Sequence, residues 1–173
     1  IDVTSGDVLA MASYPNYDPN KFANGISSED YNNYLPKNLN DMLAPNPLLN
    51  LATQGVFQTG STFKMVTAMA ALESGLDPSY TIKDPGVIRL GNRNFADYIW
   101  HHGGKNHGMV NLYKAIQESC NIYFYVLGSN RNWMTGQSLN LGMNANKILE
   151  YAKKFGLDSD TGLEGQIEER NGR

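Results

Sequence analysis

The chain has 173 residues, a hydrophobic fraction of 41% and a formal net charge of −3. That length fits one domain or a large part of one, with enough apolar residues for an ordinary core, and the mild acidity argues against a basic nucleic-acid surface. A single cysteine, Cys120, excludes an internal disulfide, and no run of about 18 apolar residues or charged-then-apolar leader predicts a membrane span or signal peptide.

In chain order, residues 1–13 predict a hairpin. Ile1 and Val3 alternate with polar neighbours, Thr4-Ser5-Gly6-Asp7 is a turn cluster, and Val8 to Ala12 is a short apolar strand. Pro15 and Pro19 then break regular structure. Lys21 to Leu49 is Asn-rich and Pro-punctuated, which predicts a surface excursion with short helical turns. Residues 61–74 are apolar nearly all round, the mark of a buried helix, with Gly75 as its C-terminal stop. Residues 76–110 read as short strands and loops, with turns at Asp84-Pro85-Gly86 and Gly103-Gly104.

Asn111 is the expected N-cap of a helix through Glu118, with Leu112, Ala115 and Ile116 on one face. Ile122 to Leu127 resumes an apolar helical pattern. Residues 145–155 predict an amphipathic helix with Ile148, Leu149, Ala152 and Phe155 inward and Gly156 as the stop. No internal repeat, low-complexity tract or inter-domain linker stands out. Ile1-Asp2-Val3 reads as the middle of a strand and Asn171-Gly172-Arg173 follows a loop-like stretch, so the expectation is a fragment of a longer protein.

Two short patterns carry chemistry. Ser61-Thr62-Phe63-Lys64 opens the apolar helix, and residues i and i+3 are neighbours on one helix face. A serine hydroxyl needs a base to become a nucleophile, and a lysine serves only when burial or nearby positive charge lowers its pKa. Free N–H groups at the helix start favour developing negative charge, so the Ser61 N–H is a candidate oxyanion donor. The alternative is a capping serine and a lysine snorkelling from an ordinary core helix. Ser119-Cys120-Asn121 follows 58 residues after Ser61, where one helix ends and another begins. Ser119 is a candidate proton relay and Asn121 a candidate for binding a substrate amide and holding Lys64. A simple capping pair is the alternative.

These elements together resemble class B penicillin-binding proteins. Gly60-Ser61-Thr62-Phe63-Lys64-Met65 with Ala70-Ala71-Leu72-Glu73 looks like that family's nucleophile helix. His107-Gly108, Asn111-Leu112, Ala115-Ile116 and Ser119-Cys120-Asn121-Ile122-Tyr123-Phe124 resemble its second motif and lead-in. Thr4 to Ser13, with Pro15 and Asp18-Pro19-Asn20, is similar to its opening hairpin. Phe155-Gly156-Leu157 and Thr161-Gly162-Leu163 fit the segment after the second motif.

The resemblance implies an α/β (α+β) fold with helices packed on an antiparallel sheet, as in serine β-lactamases. It implies one partial transpeptidase domain over residues 1–173 that cross-links peptidoglycan stem peptides through an acyl-enzyme on Ser61 and is acylated by β-lactams. Lys64 and Ser119 would be catalytic and Asn121 substrate-binding; no cofactor is required. Cell-wall synthesis proteins are the implied partners, and the parent would be membrane-anchored on the extracytoplasmic face of a bacterial cell. A β-lactamase or β-lactam sensor, or a degenerate binding-only domain, are the alternatives. The family's lysine-threonine-glycine triad does not occur in the sequence, which leaves the expected site short of a carboxylate clamp and one oxyanion N–H.

No metal site is assigned. His101 and His102, with Cys120 or Asp97, could in principle bind zinc, but no ligand pair has a structural-zinc spacing, so surface or hydrogen-bonded histidines are the preferred reading. The resemblance explains His107 as part of a packing motif before the second helix. Cys120 reads as a buried structural cysteine, and Tyr123, Phe124 and Tyr125 as core.

Overall fold

The structure is a computed structural model, and it describes residues 1–41 and 44–163. The chain divides into two compact units, residues 1–58 with 159–173, and residues 59–158.

The first unit is mostly irregular. Asp18 caps a 3-10 turn at Pro19–Phe22, and helix α1 spans Ser28–Tyr34 behind the N-cap Ser27, whose hydroxyl accepts from Asp30 N. A short helix α2 follows at Leu51–Gln54. Tyr17, Phe22 and Tyr34 form a small ring cluster that closes the excursion. The expected hairpin is reduced to its turn: Gly6 N donates to Asp2 O and Asp2 N to Asp7 O, while Val8 to Ala12 stay outside any strand. Leu9 is 71% exposed. A two-stranded ribbon is marginal without further strands, and among the described residues this unit forms none.

The second unit holds the core. A 3-10 turn at Gly60–Phe63 runs directly into helix α3, Lys64–Glu73. Gly75, at φ +94°, ends α3 in a left-handed turn, with Leu76 N donating back to Ala71 O. Strands β1 (Ile82–Asp84), β2 (Val87–Leu90) and β3 (Arg93–Ala96), helix α4 (Tyr98–His101) and strand β4 (Gly108–Val110) follow. They form two antiparallel pairs, β1 with β4 and β2 with β3, in registers that match Ile82 to Val110 and Val87 to Ala96. Helices α5 (Leu112–Gln117), α6 (Asn121–Ser129) and α7 (Ala145–Lys154) complete the unit. Asn111 caps α5 by accepting from Lys114 N, as its position predicts.

Helix α3 packs on α5, α6 and α7. Ala70 and Ala71 are fully buried, and side chains this small let neighbouring helices approach closely. The helix is not buried all round, however: Met65, Met69 and Leu72 are exposed. On α5 Ile116 faces outward, and on α7 Leu149 is exposed, as is Phe155 at its C-cap, while Tyr151 turns inward with Ala152. One residue is 100° of helix, so a small error in the assumed axis moves such flanking positions across the boundary. Ile122, Tyr123, Val126 and Leu127 of α6 are wholly buried and form the centre of the core.

Candidate active site

Ser61 lies on the 3-10 turn that precedes α3, and Lys64 is the first residue of α3 itself. Ser119 and Asn121 arrive from the junction of α5 and α6. That junction is a tight reversal: Ser119 N donates to Ile116 O and Cys120 N to Ala115 O, closing α5 in the two-bond pattern that favours glycine. Serine occupies the left-handed position instead, at φ 55°. A side chain there costs roughly 1–2 kcal/mol, and such strain concentrates at functional sites. The turn exposes Ser119 and sends Cys120 into the core, where it is fully buried, as expected of a structural cysteine.

The four sequence-predicted residues converge. Lys64 Nζ donates to Ser119 O at 2.6 Å, Ser119 Oγ at 2.9 Å and Asn121 Oδ1 at 2.7 Å. Ser119 Oγ in turn donates to Ser61 Oγ at 2.9 Å. The link from Ser61 to Lys64 therefore passes through Ser119, whereas helical spacing alone predicts a direct meeting. The amine is drawn across by three oxygens of the α5–α6 junction. The Asn121 amide is fixed by its other end, where Nδ2 donates to Ala96 O at the end of β3.

Burial lowers the Lys64 pKa from the ordinary lysine value, while the negative charge of Asp97 and the Cys120 side chain pull it back up. The Phe124 ring, one turn along α6 from Asn121, lies 5.6 Å from Nζ and supplies part of the apolar surroundings.

The sequence offers Asp97 only as a disfavoured zinc partner of His101 and His102, not as a residue of the Ser61 site. Asp97 is fully buried, and its Oδ1 accepts from Asn121 N at 2.5 Å, which caps the start of α6 from a distant part of the chain. Its Oδ2 accepts from Ile122 N at 3.4 Å and also lies 3.4 Å from Cys120 Sγ and 3.5 Å from His107 Nδ1. Asp84, also fully buried, accepts from Gly86 N with one oxygen and from His107 N with the other, which lies 2.8 Å from His107 Nδ1.

Donor atoms from Asp84, Asp97, His107 and Cys120 thus lie within 4.8 Å of one another. Two wholly buried carboxylates with a single imidazole leave negative charge that burial penalises, and a divalent cation offsets it. One nitrogen, one sulfur and two oxygens is a donor set that four-coordinate zinc accepts. Binding there would deprotonate the Cys120 thiol, whose pKa is otherwise pushed up by burial and by the neighbouring Asp97 and Asp84 carboxylates. The histidines singled out from sequence, His101 and His102, are exposed and lie outside this cluster. The missed signal is the two-residue period of β1: Ile82 and Asp84 share the inward face, so a buried carboxylate was legible where only a turn was read.

Residues 1–172 match the family model described as the penicillin binding protein transpeptidase domain. The chain belongs to this family. Among curated relatives of this chain is the peptidoglycan D,D-transpeptidase MrdA of Escherichia coli K12, 36% identical over 173 residues, covering 99% of this chain and 24% of the relative. Among solved structures, Pseudomonas aeruginosa PBP2 in complex with WCK 5153 superimposes with a TM-score of 0.70 at 31% identity, covering 95% of this chain and 33% of the other. An imipenem acyl-enzyme complex of penicillin-binding protein A from M. tuberculosis gives a TM-score of 0.67 at 29% identity, covering 95% and 35%. The chain spans about a quarter of the length of the curated relatives it matches. The α/β class with antiparallel sheets agrees with these neighbours. Among the described residues, no helix is long and apolar enough to cross a membrane.

Proposed function

We propose that the full-length protein carrying this chain is a peptidoglycan D,D-transpeptidase of the class B penicillin-binding type. The observation that carries the proposal is the hydrogen-bonded series Ser61–Ser119–Lys64–Asn121. Two partners of Lys64, Ser119 O and Asn121 Oδ1, are carbonyls and only accept. A neutral Lys64 amine spends its two N–H groups on them and turns its lone pair to Ser119 Oγ. The Ser119 hydroxyl then donates to Lys64 and is free to accept from Ser61.

Ser61 Oγ attacks the carbonyl of the D-Ala-D-Ala peptide bond as its proton passes to Ser119 and the Ser119 proton to Lys64. The tetrahedral adduct collapses, the terminal D-alanine leaves, and its amine takes a proton returned from Lys64 through Ser119. An amine of a second stem peptide then attacks the ester, loses its proton along the same route and restores Ser61. Asn121 holds Lys64 and offers its amide to the substrate. β-Lactams acylate Ser61 because their strained amide resembles the dipeptide. The chemistry requires no cofactor at Ser61. Stem peptides, β-lactams and cell-wall synthesis proteins are the partners, and membrane anchoring on the extracytoplasmic face follows from the family resemblance.

A β-lactamase would need a base to activate the deacylating water. Among the described residues no carboxylate hydrogen-bonds Ser61 or Lys64; Asp97 spends both oxygens on the start of α6 and the buried cluster. A binding-only domain has no use for the strained Ser119. The test is to incubate the full-length protein with a pentapeptide donor ending in D-Ala-D-Ala and an amine acceptor. Released D-alanine and a cross-linked product, both lost in a folded Ser61→Ala variant, are expected. Rapid turnover of a chromogenic cephalosporin without cross-linking would favour the β-lactamase reading.

A further inference from the structure

The buried cluster has an outer layer on α5. His107 is held at several points: its N–H and Nδ1 by Asp84, and its carbonyl by Lys114 Nζ, which donates to it at 2.6 Å. The remaining ring atom, Nε2, faces Glu118, with Oε2 at 4.0 Å. The same Oε2 lies 4.0 Å from Lys114 Nζ, one turn back along α5. Both side chains that reach His107 from α5 thus come from one face of that helix, and Glu118 is the residue directly before Ser119.

A carboxylate at the C-terminal end of a helix meets the negative end of the backbone dipole, an unfavourable position that calls for a compensating positive group. Lys114 supplies one. An imidazole holding a metal through Nδ1 would supply the second, since it would keep its ring proton on Nε2. Histidine ligands almost always donate that second N–H to a carboxylate, carbonyl or water, which fixes the ring and raises its basicity. At 4.0 Å the gap is closed by one bridging water or by a small rotation of the Glu118 side chain, which is 39% exposed and has room to turn.

We propose that Glu118 is a positioning residue for a metal ion held by Asp84, Asp97, His107 and Cys120, accepting the His107 Nε2–H so that Nδ1 is presented to the ion. This rests on the reading of that cluster as a zinc site. Glu118 touches neither the ion nor the reacting atoms. Its effect reaches Ser119 only through the α5–α6 junction that the cluster braces.

The test uses zinc alone and the full-length protein. Affinity is measured by competition with a chromogenic chelator for the wild type, Glu118→Gln and Glu118→Ala. Glutamine keeps an acceptor oxygen but loses the charge; alanine loses both. Expected are a loss of about 10- to 100-fold for Glu118→Ala and a loss within about threefold for Glu118→Gln. The metal-free melting temperature should be unchanged, since Glu118 is surface-exposed. In nitrogen-15 spectra of the zinc-loaded wild type, the His107 Nε2–H should be visible and slow to exchange, and it should vanish in Glu118→Ala.

Zinc affinity in Glu118→Ala within about twofold of wild type would overturn the proposal while leaving the metal site standing. Equal losses in both variants would show a charge effect and no hydrogen bond, and would overturn it too. A wild type that binds no zinc would remove the metal reading and this inference together, while leaving the Ser61 chemistry untouched.

Discussion

Ser119 Oγ donates to Ser61 Oγ at 2.9 Å across 58 residues of sequence, and Ser119 does so from a left-handed backbone conformation at φ 55°. Strain and function fall on the same residue, so the two can be separated by substitution. Ser119→Gly relieves the backbone and removes the hydroxyl. The variant should melt no lower than wild type and up to a few degrees higher, since glycine tolerates positive φ at no steric cost. Its acylation by penicillin should fall by about 10²–10³, the scale of a lost proton-transfer group. Thermal melts and stopped-flow acylation measure the two effects independently.

Lys64 sets the pH response. Its pKa lies below the ordinary lysine value because burial disfavours the ammonium, and the proposed proton route uses the neutral amine. The acylation rate should therefore climb as pH rises through this lowered pKa and level off at a lower pH than an ordinary lysine would permit. Lys64→Arg keeps the positive charge at all accessible pH values and should reduce acylation at least about 10³-fold with no recovery at high pH. A pH–rate profile for acylation of both proteins checks this.

Asp97 joins the two halves of the site through its two oxygens. Asp97→Ala leaves the N–H groups of Asn121 and Ile122 without their acceptor at a buried helix start. We expect a loss of about 1–3 kcal/mol in urea denaturation, with Asp97→Asn losing less because one acceptor oxygen survives. Zinc binding, measured in parallel, should weaken in both.

Leu127 is fully buried in the second half of α6, six residues beyond Asn121, and faces the core. Leu127→Ala should cost about 2–5 kcal/mol of stability by denaturant titration. At temperatures where the variant remains folded, its acylation rate should stay close to wild type.

Much of this arrangement was legible in the sequence because it is written locally. The Asn111 cap, the Gly75 stop, the buried run of α6 and the serine-x-x-lysine and serine-x-asparagine patterns each depend on neighbours a few residues apart. What was not legible depends on distant partners. The bond from Ser119 to Ser61, the capping of α6 by Asp97 and the gathering of Asp84, Asp97, His107 and Cys120 arise only when the start of α3, the end of β1, the β3–α4 link and the residue before β4 meet the α5–α6 junction. The hairpin expected over residues 1–13 failed for the same reason in reverse. Its local pattern favours strands, but the ladder needs partners that the described part of its unit does not supply.

The most direct test of the central assignment is the intact mass of the full-length protein after incubation with benzylpenicillin, followed by peptide mapping. A single covalent adduct on the peptide carrying Ser61, absent from a folded Ser61→Ala variant, is the expected result. No adduct on the wild type, or an adduct that persists in Ser61→Ala, would contradict the assignment of Ser61 as nucleophile.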